Sequence, residues 1–173
     1  AVALEVLDNL AADLAVAFRT SVHVETVPLD AGFALDAERL QFHSTAILPR
    51  LSEAAPLAPG SRILGVTERD LYVPVLTFVF GEAQLGGQAA LISLCRLREA
   101  FYGLPPDDAL LRDRAAKEAV HELGHTLGLR HCPNWWCVMA SAHAVEKLDL
   151  KSREFCAACE RVVRAAPQAA RAL

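Results

Sequence analysis

The stretch His121-Glu-Leu-Gly-His125-Thr-Leu-Gly128-Leu-Arg-His131-Cys132-Pro-Asn-Trp-Trp-Cys137-Val-Met139 decides how this chain is read. On an α-helix, at about 100° and 1.5 Å per residue, His121 and His125 share one face one turn apart, where two imidazoles can share one metal. Glu122 follows His121 by about 100°, flanking that face beside anything a metal would hold, the place for a general base. His131 lies six residues beyond His125, about 240° round, so the chain has to turn before it can join them. Gly128 supplies the turn, because glycine ends a helix in the left-handed conformation without a Cβ penalty. Three imidazole nitrogens leave a fourth tetrahedral position open, which marks a catalytic zinc site rather than a structural one.

The same stretch begins a second ligand set. Cys132 and Cys137 are followed, after a long gap, by Cys156-Ala-Ala-Cys159. Two such pairs present four thiolates to one tetrahedral zinc and close its shell, which makes that site structural. A C-x-x-C redox centre or a pair of disulfides is the rival reading, although a thioredoxin-like site needs no second pair and normally opens a helix after a strand. Trp135 and Trp136 are expected as an apolar lid over the cysteine zinc. Cys95, in an apolar run, reads as a small buried hydrophobe. Met139, the chain's only methionine, is expected to pack beneath the histidine site as support, without ligating.

Working outward, Asp107 is placed to cap a helix running to Gly128, with Leu111, Val120 and Leu127 on its inner stripe. Upstream, Leu4, Leu7, Leu10, Leu14 and Phe18 recur with a period near 3.6 and predict an amphipathic helix over 3–18. Val22 to Val27 alternates and stops at Pro28, which predicts a strand carrying His23 as a face residue. Asp36 to Leu51 reads as mostly helical, His43 included, with a loop at Pro56, Pro59 and Gly60. Arg62–Thr67, Val75–Gly81 and Gln88–Leu94 are β-rich segments that complete a sheet. Beyond Met139 one further helix is expected from about Ala144 to Arg164, ended by Pro167.

The 173 residues, 53% hydrophobic and 22% charged, suit a single domain over 1–173 with a real core. Within it, residues 1–128 would form an N-terminal part and 129–173 a small C-terminal part. A net charge of −4 leaves no general basic field, so nucleic acid is not expected as a partner. The most apolar run, Leu71–Phe80, is too short for a membrane span and contains Pro74. Ala1–Phe18 lacks the basic start of a leader and carries Glu5, Asp8 and Asp13. A cytoplasmic monomer is the expectation.

H-E-x-x-H-x-x-G-x-x-H followed by a methionine turn is the metzincin signature, and Gly128, His131 and Met139 fall in place. With Cys132 directly after the third histidine, then Cys137-Val-Met139 and Cys156-Ala-Ala-Cys159, the chain resembles the archaemetzincin family. Gly65–Pro74, Phe78–Gly81 and Ser93–Leu97 resemble family segments more weakly. The 16 residues between Met139 and Cys156 are about one short of the family spacing. The resemblance implies an α/β (α+β) domain: a mixed, mostly parallel twisted sheet, helices packed on it, an active-site helix and a small zinc-bound C-terminal part. It also implies that Val75, Thr77, Phe78, Val79, Phe80 and Gly81 form an antiparallel edge strand, to which a peptide could add by main-chain pairing.

The activity implied is zinc-dependent hydrolysis of peptide bonds. Two zinc ions per chain are expected, a catalytic one on His121, His125 and His131 with Glu122 as base, and a structural one on the four cysteines. Some metzincin relatives place a tyrosine just beyond the turn methionine. Here Ala140, Ser141 and Ala142 follow, and His143 is the candidate oxyanion donor within reach in sequence. A silent zinc-dependent peptide binder on the same frame, or a thiol redox protein built on Cys156 and Cys159, are the alternative functions; an intact Glu122 argues against the binder.

Overall fold

The computed structural model describes residues 2–26, 29–54 and 58–166. Pro56 and Pro167, and the ends of the expected 22–27 strand and of the C-terminal tail, lie outside them. Helix α1 (Leu4–Phe18) lays Leu10 and Leu14 into the core, as its apolar period requires. Val22 packs onto that core, but Val22–Thr26 forms no strand. A strand needs a ladder partner, and none of the described strands pairs with it.

The Asp36–Leu51 segment is only partly helical. Leu35–Asp36 (β1) and Gln41–His43 (β2) pair antiparallel, and helix α2 (Ser44–Ala54) follows directly. A local hydrogen bond overrides the mixed apolar pattern: the Asp36 carboxylate accepts from the N–H of Glu38 and of Arg39, at 3.0 and 3.1 Å, which bends the chain into a turn.

Four more strands follow: β3 (Ile63–Thr67), β4 (Leu71–Tyr72), β5 (Gly81–Ala83) and β6 (Ala89–Ser93). They make two mixed sheets of three strands, in the orders β1-β2-β4 and β3-β6-β5. The β2/β4 and β3/β6 pairings are parallel, and β1/β2 and β5/β6 are antiparallel. The expected antiparallel edge strand is therefore present, but it lies at Gly81–Ala83. Of Val75, Thr77, Phe78, Val79, Phe80 and Gly81, only Gly81 belongs to it. Pro74 has no N–H for a ladder, Leu76 N–H closes a turn on the Val73 carbonyl at 3.0 Å, and Val79 makes one isolated bridge to Leu71. The carbonyls of Leu76 and Thr77 are taken by the Arg39 guanidinium, both at 2.9 Å.

Every residue of β6 is buried, because the strand runs between two layers. Ala89 and Leu91 face α2 residues Ile47, Leu48 and Leu51. On the other face Ile92 joins the cluster built on helix α3 (Asp108–Thr126), whose Leu111, Ala115, Ala119 and Val120 are buried. This period-two division is what a strand sandwiched by helices requires. Leu127, expected on the inner stripe, is only half-buried.

The long C-terminal helix is replaced by two short ones, α4 (Val145–Leu150) and α5 (Ala157–Ala165). Between them the chain turns Lys151 inward, gives Ser152 N–H to the Trp136 carbonyl at 2.8 Å and the Glu154 carbonyl to Val138 N–H at 2.9 Å. Those tertiary bonds take the place of the helical ladder. No helix among the described residues is long and apolar enough to cross a membrane.

Candidate active site

Asp107 caps α3 as expected, its carboxylate accepting from Leu110 N–H at 2.9 Å. The helix ends at Thr126, and Gly128 takes φ +87°, the left-handed conformation that glycine adopts at least cost. The reversal brings His131 back over the helix, and the ring centroids of His121, His125 and His131 lie 4.6, 5.2 and 5.1 Å apart.

Backbone carbonyls set the two helical imidazoles. Nδ1 of His121 donates to the Val138 carbonyl at 2.8 Å, and Nδ1 of His125 to that of Leu129 at 2.7 Å. With each proton on Nδ1, both Nε2 atoms carry lone pairs, and they face each other at 3.0 Å. Two acceptors that close, with no donor between them, are a place for a cation. Nitrogens about 2.1 Å from a tetrahedral zinc stand roughly 3.4 Å apart, and one ring nitrogen from each of the three histidines fits within 4.8 Å of the others. Burial holds all three imidazoles below the usual histidine pKa, His121 furthest, which keeps them in the neutral form that ligates. Exposure rises from buried His121 to exposed His131, so the cluster opens to solvent on one side.

Met139 is fully buried under this face. Its Sδ lies 2.5 Å from where a Cβ on Gly124 would stand, so a glycine at that helix position is what lets the methionine reach the helix. Glu122 is buried, and its Cγ lies 2.7 Å from where a Cβ on Gly81 would be. Burial first, then the charge of Glu118, push the Glu122 carboxyl well above the usual range.

Two residues that the sequence reading did not single out complete the interior. Glu118, one helical turn before Glu122, is also buried, and its charge is among the causes that push the Glu122 carboxyl up. Lys151 is buried too, giving a hydrogen bond to the Ala140 carbonyl at 3.2 Å, and its Nζ stands 3.4 Å from His121 Nδ1. Burial pulls its ammonium down, while Glu118 and Glu122 push it back up. The E-x-x-x-E spacing could have pointed to Glu118; nothing local pointed to Lys151.

The four cysteines converge as expected. All are free thiols, and their sulfurs lie within 4.8 Å of one another. Cys132 and Cys156 Sγ are 3.8 Å apart, the edge of a sulfur tetrahedron about 2.3 Å from zinc at its centre. The backbone N–H of Cys159 pulls the Cys156 thiol down to about 7, toward the thiolate that zinc takes. One strip of chain serves both clusters: Val138 O accepts from His121, Met139 O from Cys132 N–H at 2.9 Å, and Cys137 Sγ from Cys156 N–H at 3.3 Å.

Other expectations fall differently. Trp135 and Trp136 are 69% and 52% exposed and make no buried lid; their loop leaves the sulfur cluster toward solvent. Cys95 is only half-buried, in a short 3₁₀ turn. His143 is exposed and meets Ser141 Oγ at 3.1 Å; it is not among the converging ring nitrogens. His23 is exposed, and His43 lies against the Tyr72 ring with centroids 5.3 Å apart.

A mixed α/β frame that sets a helical histidine pair over a methionine, beside a cluster of four thiols, is the build of a zinc metallopeptidase. Residues 30–165 match the model of Peptidase family M54, and the chain belongs to that family, the archaemetzincins. It is 50% identical over 127 residues to the archaemetzincin of Methanocaldococcus jannaschii, spanning 73% of this chain and 68% of that one. Against the archaemetzincin of Pyrococcus furiosus the identity is 45% over 139 residues, 80% and 72% of the two chains. The crystal structure of the Archaeoglobus fulgidus archaemetzincin, complexed with malonate, superposes with a TM-score of 0.80 at 38% identity, covering 94% of each chain.

Proposed function

We propose that the chain hydrolyses peptide bonds with Glu122 as general base, using one zinc on His121, His125 and His131, and that a second zinc on Cys132, Cys137, Cys156 and Cys159 is structural. The observation that carries the reading is the pair of Nε2 lone pairs facing each other at 3.0 Å, each fixed by a backbone acceptor on Nδ1. Bound there, zinc supplies Lewis acidity, polarising a carbonyl and making a water molecule more acidic.

The remaining steps belong to the chain. Glu122, next to the first ligand on α3, accepts the proton of the attacking water and passes it to the leaving amine. A carboxyl pushed upward by burial suits both halves of that transfer. The substrate adds to the outer edge of β5. Phe80 O accepts from Ser93 N–H at 2.8 Å, and Gln84 N–H donates to Ala89 O at 3.0 Å. In antiparallel alternation the N–H and C=O of Gly81 and Ala83 then point away from β6, free to pair with an extended peptide. The absence of a side chain at Gly81 also leaves Glu122 its room. His143, exposed and meeting Ser141 Oγ at 3.1 Å, is the candidate oxyanion donor; a normal rate in His143→Ala removes it from the mechanism.

Digestion of a peptide library, read by mass spectrometry against the Glu122→Ala variant, tests the reading. Cleavage is expected from the parent chain and none from the variant, with zinc content unchanged. Turnover that survives the substitution sinks Glu122 as base.

A further inference from the structure

The proposed reaction uses the outer edge of β5 for main-chain pairing and gives no role to the one charged side chain that the strand carries. In the β5/β6 register Gly81 stands opposite Ile92 and Glu82 opposite Leu91, and residues opposite each other share a face of the sheet. Gly81 therefore faces α3, as the 2.7 Å between Glu122 Cγ and the place of its Cβ requires, and Glu82 faces α2 with Leu91. There the first turn of α2 receives its carboxylate. The Ser44 hydroxyl donates to Oε2, and the Thr45 hydroxyl is shared between Oε1 at 2.8 Å and Oε2 at 3.0 Å. Ser44 is fully buried, whereas Thr45 is exposed and Glu82 half-buried, so the carboxylate is held in one direction and still reached by solvent. An ionised carboxylate has about four lone-pair sites, and two hydroxyls with one proton each leave some of them open. Both donors are neutral, and among the described residues no lysine, arginine or histidine forms an ion pair with Glu82. Arg39, on the turn into β2, is engaged with Gln41 and with the Leu76 and Thr77 carbonyls.

We propose that Glu82 determines specificity: it is the anionic wall of a subsite on the α2 face of the edge strand, and that subsite takes a lysine or arginine side chain of the substrate. Gly81 and Ala83 turn their N–H and C=O outward, so a peptide paired with them sets one of its residues directly beside Glu82. Side chains of cross-strand neighbours leave the sheet on the same face, with Cβ atoms roughly 4.5–5.5 Å apart. A basic side chain at that place reaches the open lone pairs of the carboxylate in charge-assisted hydrogen bonds, and an acidic one meets like charge. The peptide residues one place to either side face α3 instead, away from Glu82, so the preference is strongest at a single position. Neither Gly81 nor Ala83 carries a group that competes for the same side chain. Glu82 touches no reacting atom; it selects which peptide is held.

The inference rests on a peptide pairing with β5 in the proposed reaction, and the test keeps the two apart. A single lysine is moved along an N-acetylated peptide of otherwise neutral residues, with norleucine and glutamate in its place as controls. The ratios of kcat/KM are read for the zinc-loaded parent chain and for Glu82→Gln, which keeps an oxygen for the two hydroxyls and loses the charge. At one position lysine is expected to exceed norleucine about fivefold and glutamate to fall below it by about as much, the upper range for charged cross-strand pairs. In Glu82→Gln both ratios should approach one, and in Glu82→Lys the order of lysine and glutamate should reverse. A parent chain with no such position, or a preference that Glu82→Gln retains, overturns the proposal. A preference seen only when the peptide's own amine is left free also overturns it, because the cation is then the terminus and not a side chain. If Glu82→Gln does not fold, the parent series still decides: a preference between exposed charges must shrink as salt is raised, and one unmoved by salt sinks the idea. Affinity for the same peptides is measured by fluorescence anisotropy on zinc-loaded Glu122→Ala, which needs no turnover. Preferential binding of the lysine peptide by a chain whose parent cleaves nothing would refute the functional reading and uphold the subsite.

Discussion

Cys159→Ala removes one of four converging thiols without touching any histidine, and its effect on the histidine site can be worked out from the hydrogen bonds that join the two clusters. Cys159 is buried at the start of α5, and three thiolates would leave the proposed cysteine zinc with an open shell. That weakens the tie between Cys156 and Cys137, and with it the strip Cys137–Ala140. Two bonds from this strip position the histidine ligands: Val138 O to His121 Nδ1 at 2.8 Å, and Met139 O to Cys132 N–H at 2.9 Å, next to His131. Each is worth about 0.5–1.5 kcal/mol net. Losing both costs roughly 1–3 kcal/mol, a loss of about 5- to 150-fold in zinc affinity at the histidine site. Competition with a graded series of chelators, read together with kcat/KM on one peptide, measures it. A folded Cys159→Ala protein with full zinc on the histidines and parental kcat/KM refutes the coupling.

Two further outcomes are expected. Gly81→Ala puts a methyl 2.7 Å from Glu122 Cγ and 2.8 Å from the Leu91 carbonyl; overpacking of this kind costs about 1–3 kcal/mol, and steady-state kinetics should show kcat reduced at least tenfold with zinc retained, while parental kcat would show that β5 yields freely. As for pH, burial holds the three imidazoles below their unfolded value of about 6.5 in the folded chain. The unfolded chain then binds more protons below that value, so with the histidine site stripped of metal, stability is full above about pH 6.5 and falls with pH until the folded values are passed. Unfolding temperature followed from pH 8 to 5 should fall, and fall less in His121→Gln; identical profiles would exclude the imidazoles as the cause.

What the sequence made legible shares one property, that the constraint is local. His121, Glu122 and His125 are placed by the turn of one helix, the end of α3 by the φ of Gly128, and its start by the Asp107 cap. The cysteine pairs are placed by ligand chemistry and short turns. Where a partner far along the chain decides, the pattern misleads. An apolar run such as Val75–Gly81 looks the same paired or unpaired, and here Arg39, 37 residues before Leu76, holds it as a loop. The apolar spacing of Ala144–Arg164 suits one helix, yet Lys151 is drawn inward and the bonds of Ser152 and Glu154 to the strip around Val138 break it in two.

Helix α3 shows the limit most sharply. Arg114, Lys117, Glu118 and Glu122 would mark a solvent face by polarity alone, yet all four are buried, because α3 is enclosed by α1, the sheet and α4. Partners from outside the helix hold the two cations: Asp149 and Glu99 for Arg114, and the Asp149 carbonyl for Lys117, which also pairs with Asp113 on α3 itself. The residues that would perform chemistry are readable because their spacing on one helix has to be right before anything can bind. Those that hold them need only arrive from somewhere, and Lys151, 29 positions past Glu122 on a segment with no helical register to it, arrives from a place no periodicity marks. A motif of this kind therefore identifies the reacting groups and leaves their support to be found in the fold.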